Sequence, residues 1–349
     1  MKRIVATSLL AAAALSLSAC KSSSNTVALQ GAGSTFVNPV MTRWVQGFMQ
    51  SHPNVHVNYQ SIGSGGGIQQ VKSGTVDFGA SDFPLKDAQL ASMAPAIQFP
   101  ESAGPVCITY NLPGFSQALQ LSADSLAGIF LGKITNWQDK EIAADNPGVR
   151  LPNQAIVVVH RTETSGTTNA FTTYLSSVSP EWKTKVGAGG SVSWPVGIGG
   201  KGSEGVTGVL QQSPGAIGYV ELAYATQNHL PVAKIKNQGG NFVAPGTEST
   251  TAAISAFAAQ LSEDPRSPIV NPPATAVNAY PISTLTFLMV PKDGPDKAKR
   301  TTLKQFLQYV VTDGQKAAGS LDYAPLPDSV KQYDQQQLNL LTANGQALP

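Results

Sequence analysis

Apolar positions along the chain fall into two alternating periodicities. Val40, Trp44, Val45 and Phe48 recur at helical spacing and predict an amphipathic helix over residues 39–49. Val55-His56-Val57-Asn58-Tyr59 alternates as a strand does and runs into Ile62-Gly63-Ser64-Gly65-Gly66-Gly67. A short helix is expected at 68–73, then a strand over 76–82 that ends in a polar tip at Ser81-Asp82. Ile156-Val157-Val158-Val159-His160 is an unbroken apolar run, suited to a parallel strand covered on both faces. Ala170, Phe171, Tyr174 and Leu175 mark the helix after it, and Gly215-Ala216-Ile217-Gly218-Tyr219-Val220 follows a second small-residue helix signal. Residues 187–205 are rich in glycine and read as a long ordered loop. Leu285-Thr286-Phe287-Leu288-Met289-Val290 predicts a strand, and Leu303, Phe306, Leu307 and Val310 share one side of a helix over 299–312. Strand, small polar loop and helix in repeated order is the α/β layer pattern, in which ligands bind at the carboxyl ends of the strands. No internal repeat or coiled coil interrupts it.

The N-terminus changes the picture of where the chain resides. Met1-Lys2-Arg3 precedes an apolar run that reaches Ala19, a short basic head and hydrophobic stretch that predict an export signal over residues 1–19. Leu17-Ser18-Ala19-Cys20 resembles a bacterial lipobox, so Cys20 is the expected lipidation site and residues 20–25 a polar tether. The expected location is periplasmic or extracytoplasmic, lipid-anchored to a membrane. With Cys20 acylated, Cys107 has no disulfide partner and is expected to be buried and inert. Loss of Lys2 and Arg3 leaves 21 basic and 21 acidic residues, which disfavours nucleic acid as a partner. An anion would have to be held by local geometry rather than by a global positive field. The mature length suits two lobes better than one core. The first is placed at 26–104 with 280–349 and the second at 105–279, with crossings near Gly104-Pro105 and Asn278-Ala279-Tyr280-Pro281.

Three segments share one chemistry: Gly33-Ser34-Thr35-Phe36, Gly63-Ser64-Gly65-Gly66-Gly67 and Thr164-Ser165-Gly166-Thr167. Each sets a hydroxyl beside small residues where a helix should begin, offering unpaired amides and a side-chain donor to an anion. Taken singly, such a serine or threonine is an ordinary helix cap. Arg161, at the end of an apolar strand, brings a guanidinium fork suited to a tetrahedral oxyanion. Asp82 brings a carboxylate to a comparable height. An ionised carboxylate can only accept, so it fits an anion that still carries a proton. Phosphate does, whereas sulfate at neutral pH does not and would leave the buried acceptor unsatisfied.

These segments, with Val76-Asp77-Phe78-Gly79-Ala80-Ser81-Asp82, Trp194-Pro195-Val196-Gly197-Ile198-Gly199-Gly200-Lys201-Gly202 and Pro214-Gly215-Ala216-Ile217-Gly218-Tyr219-Val220-Glu221, closely resemble the phosphate-binding proteins of the phosphate-specific ABC transport system, the PstS family. The resemblance spans nearly all of the mature chain. It implies an α/β, type II periplasmic-binding-protein fold with two hinged lobes, an interlobe cleft holding inorganic phosphate, and membrane permease subunits of an ABC importer as partners. It further implies Thr35 and Phe36 as backbone or hydroxyl donors, Ser64 donating through hydroxyl and amide, and Asp82 accepting the phosphate proton. Arg161 would be the charged donor, and Ser165, Gly166 and Thr167 would close the site from the other lobe. Glu163 stands where the family usually has aspartate, as the expected partner of Arg161. Gly65 replaces a common serine, and the lipobox departs from the soluble Gram-negative members.

No cofactor or metal is expected, and the chain is expected to act as a monomer. The rival from another class is a serine-dependent phosphohydrolase with Ser165 or Ser64 as nucleophile. Against it, none of the four histidines sits beside these serines, and His160 should point to the opposite strand face from Arg161. Within the binding class the alternatives are sulfate, molybdate or phosphonate.

Overall fold

The computed structural model describes residues 26–91, 93 and 95–349. The expected leader, Cys20 and tether lie outside them. The strands in chain order are β1 (Val27–Gly33), β2 (Val55–Ser61), β3 (Phe78–Ser81), β4 (Ala96–Tyr110), β5 (Gln120–Leu121), β6 (Val157–Arg161), β7 (Ile198–Gly200), β8 (Ala216–Glu221), β9 (Lys234–Lys236), β10 (Phe242–Val243) and β11 (Ser283–Pro291), with a short terminal pair, Thr342–Ala343 and Gln346–Ala347. Eight of them form one sheet in the order β2-β1-β3-β11-β4-β8-β6-β7.

The long strand β4 joins the two halves of that sheet. From Ala96 to Pro105 it pairs antiparallel with β11, and from Val106 to Tyr110 antiparallel with β8. On one side β1 lies parallel to both β2 and β3; on the other β6 lies parallel to both β8 and β7. β4 is buried along nearly its whole length because helices cover both faces of the sheet. Trp44, Phe48 and Phe306 pack under the first half, and Phe130, Phe171 and Trp182 under the second. These aromatic side chains each bury a large apolar surface against the sheet.

Most predicted elements appear within a few residues of their expected bounds. The amphipathic helix is Asn38–Ser51, with Val40, Met41, Trp44 and Phe48 buried. Two expectations need correction. The helix expected at 68–73 begins at Ser64 and ends at Lys72, so the glycine run is helical. Glycine is a poor helix former, but a Cβ on Gly67 would stand 2.6 Å from the Gly33 Cα and one on Gly65 2.6 Å from the Thr164 Cβ. Close packing overrides propensity there. The segment 187–205 is not all loop. β7 and the start of the helix Gly202–Gln212 lie within it, because Gly199 and Gly200 pair with β6 and Gly200 packs against the Val206 amide.

Candidate functional site

Three chain ends meet at the tip of β1. Gly33 has φ +144°, and a Cβ there would sit 2.1 Å from the Ala80 carbonyl oxygen, so only glycine brings β1 and β3 this close. The Ile62 and Gly63 amides both donate to the Gly33 oxygen, at 3.0 and 2.8 Å, which turns the chain into the helix beginning at Ser64. Ser64 Oγ then accepts from the Asp82 amide and from the Gly166 amide, each at 3.2 Å. Ser34 Oγ accepts from the Phe36 amide at 3.0 Å and donates to Asp82 Oδ1. The Phe36 ring itself points into the core against Tyr323.

The opposite wall starts where β6 ends. Arg161 is 4% exposed, and its Nε donates to Glu163 Oε1 at 2.8 Å while Nη2 donates to the same oxygen. The Gly202 amide donates to both Glu163 oxygens, at 3.3 and 3.2 Å. Nη1 donates to Thr167 Oγ1 at 3.3 Å and to Ser203 Oγ at 3.4 Å. Ser165 Oγ is engaged as the helix N-cap, accepting from the Thr168 amide at 3.2 Å. Gly166 is tightly seated: a Cβ would be 2.4 Å from the Asp82 Cβ.

Hydrogen bonds cross between the two walls. Thr167 Oγ1 donates to Asp82 Oδ2 at 3.4 Å, Thr35 Oγ1 lies 3.0 Å from Ser203 Oγ, and the Ser203 amide donates to Thr35 Oγ1 at 3.1 Å. The Gly65 amide donates to the Thr164 oxygen at 3.1 Å, so that position contributes backbone across the cleft. Thr35, Phe36, Ser64, Asp82, Arg161, Ser165, Gly166 and Thr167 thus come together, all buried, with Glu163 behind the arginine.

Burial pushes the Asp82 carboxyl up to about 6, against the opposing pull of the Ser34 hydroxyl and the Arg161 charge. Burial also raises Glu163, but the charge and hydrogen bonds of Arg161 win and hold it below the usual carboxylate range. Arg161 is paired with Glu163, so the site offers many neutral donors, one shared cation and one carboxylate acceptor. His160 is turned away, stacked on Trp194 with ring centroids 4.9 Å apart. Among the described residues no histidine hydrogen-bonds to Ser64 or Ser165.

Ser34 lies in the first hydroxyl-bearing segment, from which the resemblance carries over only Thr35 and Phe36, and Ser203 lies outside all three segments. Gly202-Ser203 repeats the hydroxyl-beside-glycine pattern at a helix start, a signal masked by the glycine-rich composition of 187–205, which predicts loop. Glu204, which accepts from Ser61 Oγ and Tyr224 Oη at 2.9 Å each and from Asn38 Nδ2 at 3.4 Å, carried no local signal.

Known proteins share this arrangement of elements. The PBP superfamily domain matches residues 21–314. A phosphate-binding protein PstS of Xylella fastidiosa is 45% identical over 310 residues, which cover 88% of this chain and 84% of the relative. One from Haemophilus influenzae is 43% identical over 305 residues, 86% of this chain and 90% of the relative. The chain belongs to the PstS family. Its fold is that of the solved high-affinity periplasmic phosphate-binding protein PfluDING, bound with phosphate, which matches at a TM-score of 0.70 and 24% identity over 88% of this chain and 93% of that one. In this PstS-family chain the expected two-lobed α/β periplasmic-binding architecture is present, and the hydroxyl-lined cluster lies between the half-sheets on either side of β4.

Proposed function

We propose that this chain binds inorganic phosphate between its two lobes and delivers it to the membrane permease subunits of an ABC importer. The observation that carries the reading is Asp82, a buried carboxylate set among hydroxyl and amide donors and linked to Arg161 through Thr167. An acceptor inside a donor-rich pocket selects an oxyanion that retains a proton. Thr35, Phe36 and Ser64 would supply donors from one lobe, and Arg161, Ser165, Gly166 and Thr167 from the other, with Glu163 holding the guanidinium plane. The Ser165 hydroxyl caps its helix, so its part would be to position the Gly166 and Thr167 amides. Ser34 and Ser203 extend the same set.

The switch in β4 pairing after Pro105 supports lobes at 26–104 with 280–349 and at 105–279. Opening about that strand would admit the ligand, and closure would complete the hydrogen bonds and exclude water. No chemical step on the anion is required, and the family relatives are named as binding proteins. The lipobox at Cys20 would tether the exported chain beside the importer. None of the described helices is long and apolar enough to cross a membrane.

Calorimetric titration of the mature, ligand-stripped chain with phosphate and with sulfate, repeated on Asp82→Asn, tests the reading. The expected result is tight phosphate and negligible sulfate binding, with the preference eroded in the variant by roughly a hundredfold or more. Equal binding of both anions by the parent chain, or of neither, would overturn it.

A further inference from the structure

Glu101 lies one layer behind the cleft at an irregular point of β4. Thr286 pairs with Ser102 and Phe287 with Pro100, so Glu101 is the extra residue of a β-bulge. Pro100 has no amide to contribute to the ladder, and the Glu101 carbonyl is taken up from outside the sheet by Gln315 Nε2 at 2.9 Å. Bulges bend a strand and re-aim a side chain. Here the side chain is 0% exposed. Its Oε1 lies 3.1 Å from the Thr286 hydroxyl, and its Oε2 has no hydrogen-bond partner. The Thr286 hydroxyl also stands close enough to the Asp82 carboxyl to draw it down slightly against burial. One hydroxyl therefore stands between a buried acid and the acceptor of the site, and its single proton can serve one of them at a time.

We propose that Glu101 is a positioning residue of the anion site: as a neutral acid it donates to Thr286, Thr286 donates to Asp82, and this directed chain keeps Asp82 ionised and aligned to accept a proton from the bound oxyanion. When Glu101 loses its proton, Thr286 turns to donate to Glu101, Asp82 loses a donor, and a second negative charge stands behind the anion. The inference rests on the phosphate reading above and adds a pH limit to it. Burial, with the Asp82 charge adding to it and the Thr286 hydrogen bond opposing it, pushes the Glu101 carboxyl up to about 8. The titratable groups that interact with Glu101 are Asp82, beyond β3, and the Tyr59 phenol on β2, whose own ionisation Glu101 disfavours. Arg161 acts on Asp82 from the opposite wall. Thr286 on β11 and Gln315 are uncharged, and Tyr333 and Asp334 are titratable groups on the helix packed over β4. Among the described residues no ion pair joins Glu101 to a cation. The bound anion disfavours the ionised acid further, so binding takes up a proton and affinity falls as pH rises above 8.

The test is phosphate titration of the parent chain, Glu101→Gln and Thr286→Val at neutral pH and above pH 8. Glutamine keeps a donor toward Thr286 and cannot ionise. Glu101→Gln is expected to match the parent within about twofold at neutral pH and to bind roughly three- to tenfold more tightly above the transition. Thr286→Val is expected to bind more weakly at neutral pH and to show a shallower decline, which keeps the comparison available if Glu101→Gln does not fold. Glu101→Gln following the parent's pH curve, or Thr286→Val leaving both affinity and curve unchanged, would overturn the inference while tight parental binding leaves the phosphate reading standing. Absence of phosphate binding by the parent at every pH would overturn that reading and this one with it.

Discussion

On the proposed reading, selectivity would turn on Asp82 and Arg161, which differ in how far the local sequence places them. Arg161 and Glu163 are two apart, so their pairing follows from local geometry once β6 ends, and the longer glutamate still reaches Nε and Nη2. Asp82 meets Thr167 and Gly166 from 85 and 84 positions away, a proximity that no local pattern carries. The residue types nevertheless carried the chemistry, since a carboxylate among donors has one reasonable use. With its carboxyl pushed up to about 6 by burial, Asp82 gains a proton as pH falls through that value and can then donate. Competition titrations should therefore show the preference for phosphate over sulfate narrowing below pH 6 and full above it. A preference constant across that range would mean that Asp82 does not titrate in contact with the ligand.

Elements were legible where apolar spacing was unambiguous, as in Asn38–Ser51 and Lys297–Val311. They were misread where glycine dominates, because its weak propensity gives way to close packing at Gly65, Gly67, Gly199 and Gly200. The helix Asp328–Leu338 shows the reverse, a local sequence that hides a cost. Its Asp334 is buried with neither carboxylate oxygen hydrogen-bonded, and burial raises it to about 9. A carboxyl raised in the folded state favours folding at low pH and loses that advantage as pH rises through the folded value. Asp334→Asn should match the parent near pH 3.8 and become more stable by about 1–3 kcal/mol at neutral pH, read as the difference in denaturant midpoints. A constant difference at all pH values would count against an unpaired buried acid.

Across the whole molecule, hydrogen bonds outside the anion cluster also join the two walls. Glu204, on the helix after β7, accepts from Asn38 and Ser61 on the far wall and from Tyr224, whose hydroxyl also donates to the Thr35 oxygen at 2.6 Å. The bonds to Asn38, Ser61 and the Thr35 oxygen span the two walls, so on the proposed reading they would favour the closed arrangement and slow ligand escape. Glu204→Ala is expected to weaken phosphate binding by roughly three- to tenfold, mainly through faster dissociation in stopped-flow measurements. An unchanged dissociation rate would remove Glu204 from the closure.

By itself the sequence determined the layer pattern, the helices and strands with clear periodicity, the small polar loops at strand ends, and the pairing of Arg161 with Glu163 two residues on. These are properties of neighbours within a few residues, where side-chain period and capping chemistry act. Only the tertiary structure decided that Gly166 abuts Asp82, that Ser203 joins Thr35, that Glu204 bridges the walls, and that a bulge turns Glu101 toward Thr286. The physical reason is that each of these depends on how the two halves of the sheet are laid along β4. Strand order and register between distant segments are settled by the packing of the entire core, and no local window of residues encodes them.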